Sequence, residues 1–239
     1  MNTSSGSILD RVLYRDGLII ILDKPAGLPV HGGPGGGDHL ELYLDALRFG
    51  LAQPPGLGHR LDRDTSGCLA LGRHRKALRR LGRIFSAGLA EKTYWALLDG
   101  VPAAASGCVT APLHKVSNAR RGWRMVVDTT HGKAAATDYR VRASDGQVSV
   151  VEFTPRTGRT HQIRVHAAEL GCPVIGDPIY GRRDGPAGPL QLHARRLVLP
   201  LYEAKPAVVA AAAPPPHMAA LLARLPAACD DDTPVQSVP

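Results

Sequence analysis

From residue 93 to residue 153 the chain offers one strand-like piece after another, with no helical repeat between them. Residues 93–98, 108–113, 123–127, 134–141 and 148–153 each read as a strand. An early β-branched run at 17–22, bounded by Gly and Lys-Pro, reads as a buried strand, and 190–199 as a late one. Strands that come in runs, with few helices between them, do not fit an alternating βαβ plan. They predict an α+β fold with a largely antiparallel sheet.

Helical patterns are few. Residues 40–51 carry apolar side chains at 40, 42, 44, 47 and 51. Ala77, Leu78, Leu81, Ile84, Phe85 and Leu89 fall at helical spacing, with Arg75, Lys76, Arg79, Arg80 and Arg83 on the outer face. That basic face either meets solvent or touches phosphates, and phosphate contact is preferred because it flanks the polar cluster described below. Residues 160–170 form a third helix, with Ile163, Ala167 and Leu170 as its buried stripe and Gly171 as its stop signal. This divides the chain into a flexible start at 1–10, a folded domain at 11–205 and a mobile Ala/Pro-rich and acidic tail at 206–239, with a short helix at 218–225.

Composition narrows the class. The 239 residues carry a formal charge of +8, which favours a polyanionic partner. Aromatics make up 5%, too few for rows of stacked bases. The four cysteines, at 68, 108, 172 and 229, form no C-x-x-C pair, so zinc ribbons and secreted disulfide frameworks are disfavoured, and each reads as a small buried apolar residue. The start is polar, without a secretory pattern, and no apolar run is long enough to cross a bilayer. A cytoplasmic protein with no membrane association is expected. His161 and His166 are five apart, H-E-x-x-H is absent, and the glycines at 32–37 lack a P-loop's Gly-Lys-Ser/Thr. No metal or nucleotide site is predicted.

The densest chemistry lies at Gly58-His59-Arg60-Leu61-Asp62-Arg63-Asp64-Thr65-Ser66-Gly67. Such a cluster of charges must be paired or solvated. A carboxylate held beside arginines stays ionised and can serve as a nucleophile or an electrostatic stabiliser. Two carboxylates two residues apart on a loop are a weak signal for a metal or an acid/base pair, and Asp64 is expected to pair with Arg63 or to cap the turn with Thr65 and Ser66.

This string resembles the catalytic motif of the RluA-type RNA pseudouridine synthases. So do residues 22–31, Lys92-Thr93-Tyr94-Trp95-Ala96 ending at Gly100, residues 157–166, Pro173-Val174-Ile175-Gly176-Asp177, and Leu192-His193-Ala194, all in the family's order. The resemblance implies a mixed, largely antiparallel sheet in two lobes with an active cleft across the middle, in a compact member without an N-terminal S4-like domain. It implies an isomerase that acts on uridine in ribosomal or transfer RNA stem-loops, without cofactor or metal. A monomer is the expected state.

The resemblance also implies residue roles. Asp62 matches the family's catalytic aspartate, acting either by attack on the ribose C1′ or by taking a ribose proton. Arg164 matches the arginine that salt-bridges that aspartate, with Gln162 and Ile163 in the same pattern. Tyr94 matches the tyrosine that lies against the target base near C5. Arg60 matches the residue that holds or replaces the flipped base. Arg159 is a substrate-side candidate. Lys24, Pro25 and Gly27 match a supporting turn, and His59, His161 and His193 read as hydrogen-bonding scaffold, His59 beside the substrate. Arg75, Arg79 and Arg80 are weaker candidates for phosphate.

Overall fold

The computed structural model describes residues 7–33, 36–118 and 122–225. The expectations for residues 1–6 and 226–239 lie outside the described residues. The chain divides into two compact units. One is built from the chain up to Lys92 together with Ala194–Ala213, the other from Thr93–His193 with residues 214–225.

The first unit is organised on β1 (Val12–Arg15), β2 (Ile19–Lys24), β3 (Gly56–Leu57), β4 (Ser66–Gly72), β11 (Leu192–Leu199, which starts in the second unit) and β12 (Val208–Ala211). Their order is β1-β2-β4-β11, with β12 on β11 and β3 on β4. Ile19, Ile20, Ile21 and Leu22 are all buried. A strand covered on both faces needs a continuous apolar run, which explains why this one does not alternate. Helix α1 (Arg75–Ser86) packs Ala77, Leu81 and Ile84 inward, and the His74 ring caps its start by accepting from the Ala77 N–H at 3.2 Å. Leu89 lies past the end of this helix and is exposed, contrary to the helical pattern drawn through it.

The second unit has the strand order β5 (Glu91–Asp99), β10 (Val148–Pro155), β9 (Thr137–Ser144), β6 (Ser106–Val109). A separate hairpin pairs β7 (Leu113–Asn118) with β8 (Gly122–Val127). Helix α2 (Gln162–Glu169) lies in its core, with Ile163 and Ala167 packed among Ala96, Leu98, Val151 and Phe153. Helix α3 (Pro216–Leu222) buries Met218 against Trp95, Leu97 and Val150. Every pairing with a described register is antiparallel, and helices are few, as an α+β fold requires. Among the described residues no helix is long and apolar enough to cross a membrane.

Several expectations are corrected. Residues 40–51 form not an α-helix but a 3₁₀ segment, Leu40–Leu47, held by i→i+3 bonds such as Leu42 N–H to His39 O. The expected strand at 108–113 is two strands broken before Pro112, which has no N–H to give a ladder. Residues 7–10 are not loose, because Ser7 and Asp10 form a capping box on a short 3₁₀ turn. The 206–225 segment is not a loose tail, since β12 pairs with β11 and Met218 is fully buried. Cys108 is exposed on the edge strand β6, while Cys68 and Cys172 are buried as expected.

Candidate active site

In the first unit, β2 ends at Lys24, directly opposite Gly67 at the start of β4. The loop that carries Asp62 and Asp64 leads into that point. A Cβ on Gly67, whose φ is +105°, would collide with the backbone carbonyl of Ala194, so only glycine fits there. The turn closes with the Thr65 N–H donating to Asp62 O at 3.2 Å. Arg63 pairs with Asp64 through both carboxylate oxygens, at 3.1 and 3.2 Å, the first of the two alternatives that the sequence left open. Asp62 is half-buried, and Arg60 is exposed.

Lys24 is fully buried, and its ammonium donates to Pro25 O, Leu28 O and Arg63 O at 2.8, 2.8 and 2.9 Å. Burial pushes its pKa down to about 7, against the pull of Asp64, Asp62 and Asp23. Three carbonyls need three N–H groups, and only the ammonium has them. The protonated form therefore holds the two motifs together.

His59 lies against Phe85 at 4.4 Å, and its Nε2 accepts from the Ala70 N–H at 3.0 Å. This bond is the scaffold role that the sequence assigned to it. Burial first, then the charge of Lys92, pushes its pKa down to about 4, with a hydrogen bond at the Arg60 backbone opposing. The folded protein keeps this ring neutral, while the unfolded chain protonates it near pH 6.5. His59 therefore contributes stability at neutral pH that is lost as pH falls from about 6.5 toward 4. His59→Gln keeps an acceptor for Ala70 and does not titrate. The fall in Tm across that window should be visibly shallower in this variant. A residual slope should remain from His166, whose pKa burial also lowers.

In the second unit, α2 is preceded by His161 at its N-cap, a non-glycine residue at φ +54°. This left-handed backbone is strained for a side chain and is held by contacts on the ring. The ring stacks on Trp123 at 5.0 Å, and its Nδ1 bonds the Tyr180 hydroxyl at 2.9 Å. The next turn carries Arg164, buried at 4% exposure. Its Nε and Nη2 each donate to Asp177 at 2.6 Å, a bidentate pair. Asp177 also accepts from the Ile179 and Tyr180 N–H groups. The Arg164 guanidinium sits 5.1 Å from the Tyr180 ring centre. Its orientation is fixed on all these sides.

Gln162 uses its whole amide internally. Its oxygen accepts from Thr157 Oγ1 and the Arg159 N–H, and its nitrogen donates to Ala136 O and Thr137 Oγ1. Ile163 is buried in the core. Both expected substrate contacts are thus internal braces that position their neighbours. His166 is likewise internal, between Thr137 Oγ1 and Ala111 O. Arg159 is exposed and donates to Ala134 O at 3.1 Å. Tyr94 lies on β5 opposite Phe153 of β10 and is half-buried. His193 is fully buried on β11. On α1, Arg75 and Arg79 are exposed, while Arg80 is half-buried beside the Tyr202 ring.

The sequence reaches Asp177 only as part of a matching string and Trp123 only as the start of a strand, and it gives no sign of Tyr180. The conspicuous signal for the first is an acidic residue in a glycine-bearing turn shortly after the arginine helix.

A family profile described as RNA pseudouridylate synthase matches residues 18–169. An uncharacterized RNA pseudouridine synthase of Zymomonas mobilis is 48% identical over 198 residues, 82% of this chain and 90% of that protein. Ribosomal large subunit pseudouridine synthase C of Buchnera aphidicola is 36% identical over 178 residues, 74% of this chain. The match covers 56% of that protein and 54% of a Synechocystis relative, so the chain spans about half the length of these curated relatives. Among solved structures, human RNA pseudouridylate synthase domain containing 4 is similar, with a TM-score of 0.77 at 28% identity over 92% of this chain and 95% of that one.

Proposed function

We propose, because the chain belongs to the RNA pseudouridine synthase family of isomerases, that it converts specific uridines in structured RNA to pseudouridine, with Asp62 acting at the ribose of a flipped-out uridine. The observation that carries this reading is the loop of Asp62, closed by the Asp62–Thr65 turn and tied down through the Arg63 carbonyl by buried Lys24. A carboxylate on a braced loop is pre-positioned for a single reacting atom.

The reaction breaks the N-glycosidic bond, turns the base and rejoins it through C5. It loses no atoms and changes no oxidation state, so acids, bases and positioned charges are sufficient. Asp62 either bonds to C1′ as the base departs or takes a ribose proton so that a glycal forms. Both routes need the carboxylate ionised. Tyr94 lies against the base, with its hydroxyl where the C5 proton leaves. Arg164 supplies a fixed positive charge. Extruding the uridine costs about a few kcal/mol, and the exposed plane of Arg60 can fill the stack it leaves. Ribosomal RNA, transfer RNA or both supply the stem-loop. The name of the Buchnera relative favours the first. The enzyme works as a monomer in the cytoplasm, without a metal or organic cofactor.

The test is tritium release from C5-labelled uridine in bulk cellular RNA that lacks the modification. Release in step with pseudouridine formation is expected. Binding of that RNA without release would defeat the reading.

The basic face of α1 belongs to the same reading. Arg79→Ala with Arg80→Ala should weaken RNA binding at low salt. It should also flatten the plot of log affinity against log salt by roughly 0.7–0.9 for each phosphate that is no longer neutralised. An unchanged slope would return this face to plain solvation.

A further inference from the structure

The β7–β8 hairpin is a two-stranded sheet of its own. Leu113 and Met125 anchor one of its faces in a small core with Ala135 and Val165. On the same face, at the outer end, stands Trp123 with 42% of its surface exposed. The chain has two tryptophans, and the other, Trp95, is buried. An indole left this open forgoes much of the gain from burial, and an aliphatic residue would cover the hairpin's core as well.

The ring is nonetheless held rigidly. His161 stacks on it with an interplanar angle of 24°, and His161 is itself held by Tyr180, whose hydroxyl also accepts from the Met125 N–H at 2.9 Å. Lys115, exposed on the neighbouring strand, places its ammonium 4.7 Å from the indole centre. A flat aromatic surface, rigid backing and an adjacent cation are what a nucleobase and its phosphate require.

We propose that Trp123 is a stacking platform for an unpaired base of the RNA substrate, which takes the place of the Lys115 ammonium over the ring as that flexible side chain turns to a phosphate of the same strand. This rests on RNA being the substrate. It adds a contact on the hairpin, outside the residues placed at the reacting uridine. An unpaired base is specified because a base inside a duplex is already stacked on both faces.

Intrinsic fluorescence of the full chain reads this out, with a twelve-nucleotide oligoadenylate as the probe. It contains no uridine and cannot be turned over. Oligoadenylate should quench wild-type emission, and Trp123→Leu should lose that quench while Trp95 still emits. In the tritium assay, Trp123→Leu should raise KM about tenfold more than it lowers kcat, and Trp123→Phe should recover most of the loss, which a merely structural role would not predict. Lys115→Gln should lower the salt slope by about 0.7. An unchanged KM in Trp123→Leu overturns the platform while leaving the isomerase reading intact. Should the wild type release no tritium, that reading fails separately, and the presence or absence of the Trp123 quench still decides the platform.

Discussion

Asp62→Asn is expected to lower turnover by about 10³-fold or more while RNA affinity is kept. The amide has the shape of the carboxylate but cannot bond to C1′ as an anion, nor can it take a ribose proton, so both routes fail together. The backbone of the turn should be kept, because the Asp62 carbonyl that closes it is unchanged in the variant. RNA binding should hold or tighten slightly, since a negative charge facing a polyanion has been removed. Single-turnover tritium release, paired with a filter-binding titration, separates the two quantities. Near-normal release by the variant would remove Asp62 from the chemistry.

The second large effect concerns stability. Asp177→Asn removes the negative charge from the bidentate pair with the buried Arg164 guanidinium. Breaking a buried ion pair by removing one partner costs about 3–5 kcal/mol. For a chain of this size that is a fall in Tm of roughly 10 °C or more. The Ile179 and Tyr180 N–H groups also lose part of their acceptor strength, so the turn after α2 should loosen and expose its amides to hydrogen exchange. A thermal melt within a degree or two of wild type would mean that water reaches Arg164 easily.

What the sequence makes legible is local. The β2 run, the strands at β5, β8 and β10 and the α1 face are set by side-chain period and branching, and each stands close to where the sequence puts it. The departures need partners distant in sequence. Val208–Ala211 is alanine-rich, with weak strand preference of its own, and becomes β12 because β11 offers it an edge. The helix expected at 40–51 keeps only a 3₁₀ turn, with Leu40, Leu44 and Leu47 buried and Leu51 left outside. Around the candidate site, the Arg63–Asp64 pair is legible because its members are adjacent. The Arg164–Asp177 pair joins residues 13 apart across a turn, and nothing in the spacing announces it. Gln162 and Ile163 read as substrate contacts from a matching string, yet a string does not reveal which way a side chain faces. Burial decides that.

Lys24 recognises main-chain oxygens only: Pro25, Leu28 and, 39 residues further on, Arg63. Such a clamp is strict at one end and indifferent at the other. Any residue at position 63 presents the same carbonyl, whereas no other side chain offers three N–H groups from one buried atom at the end of β2. Drift in the loop is therefore cheap and drift at the lysine is not. The loop that carries Asp62 can therefore change its side chains and keep its place, so long as Lys24 keeps its hold on the Arg63 carbonyl.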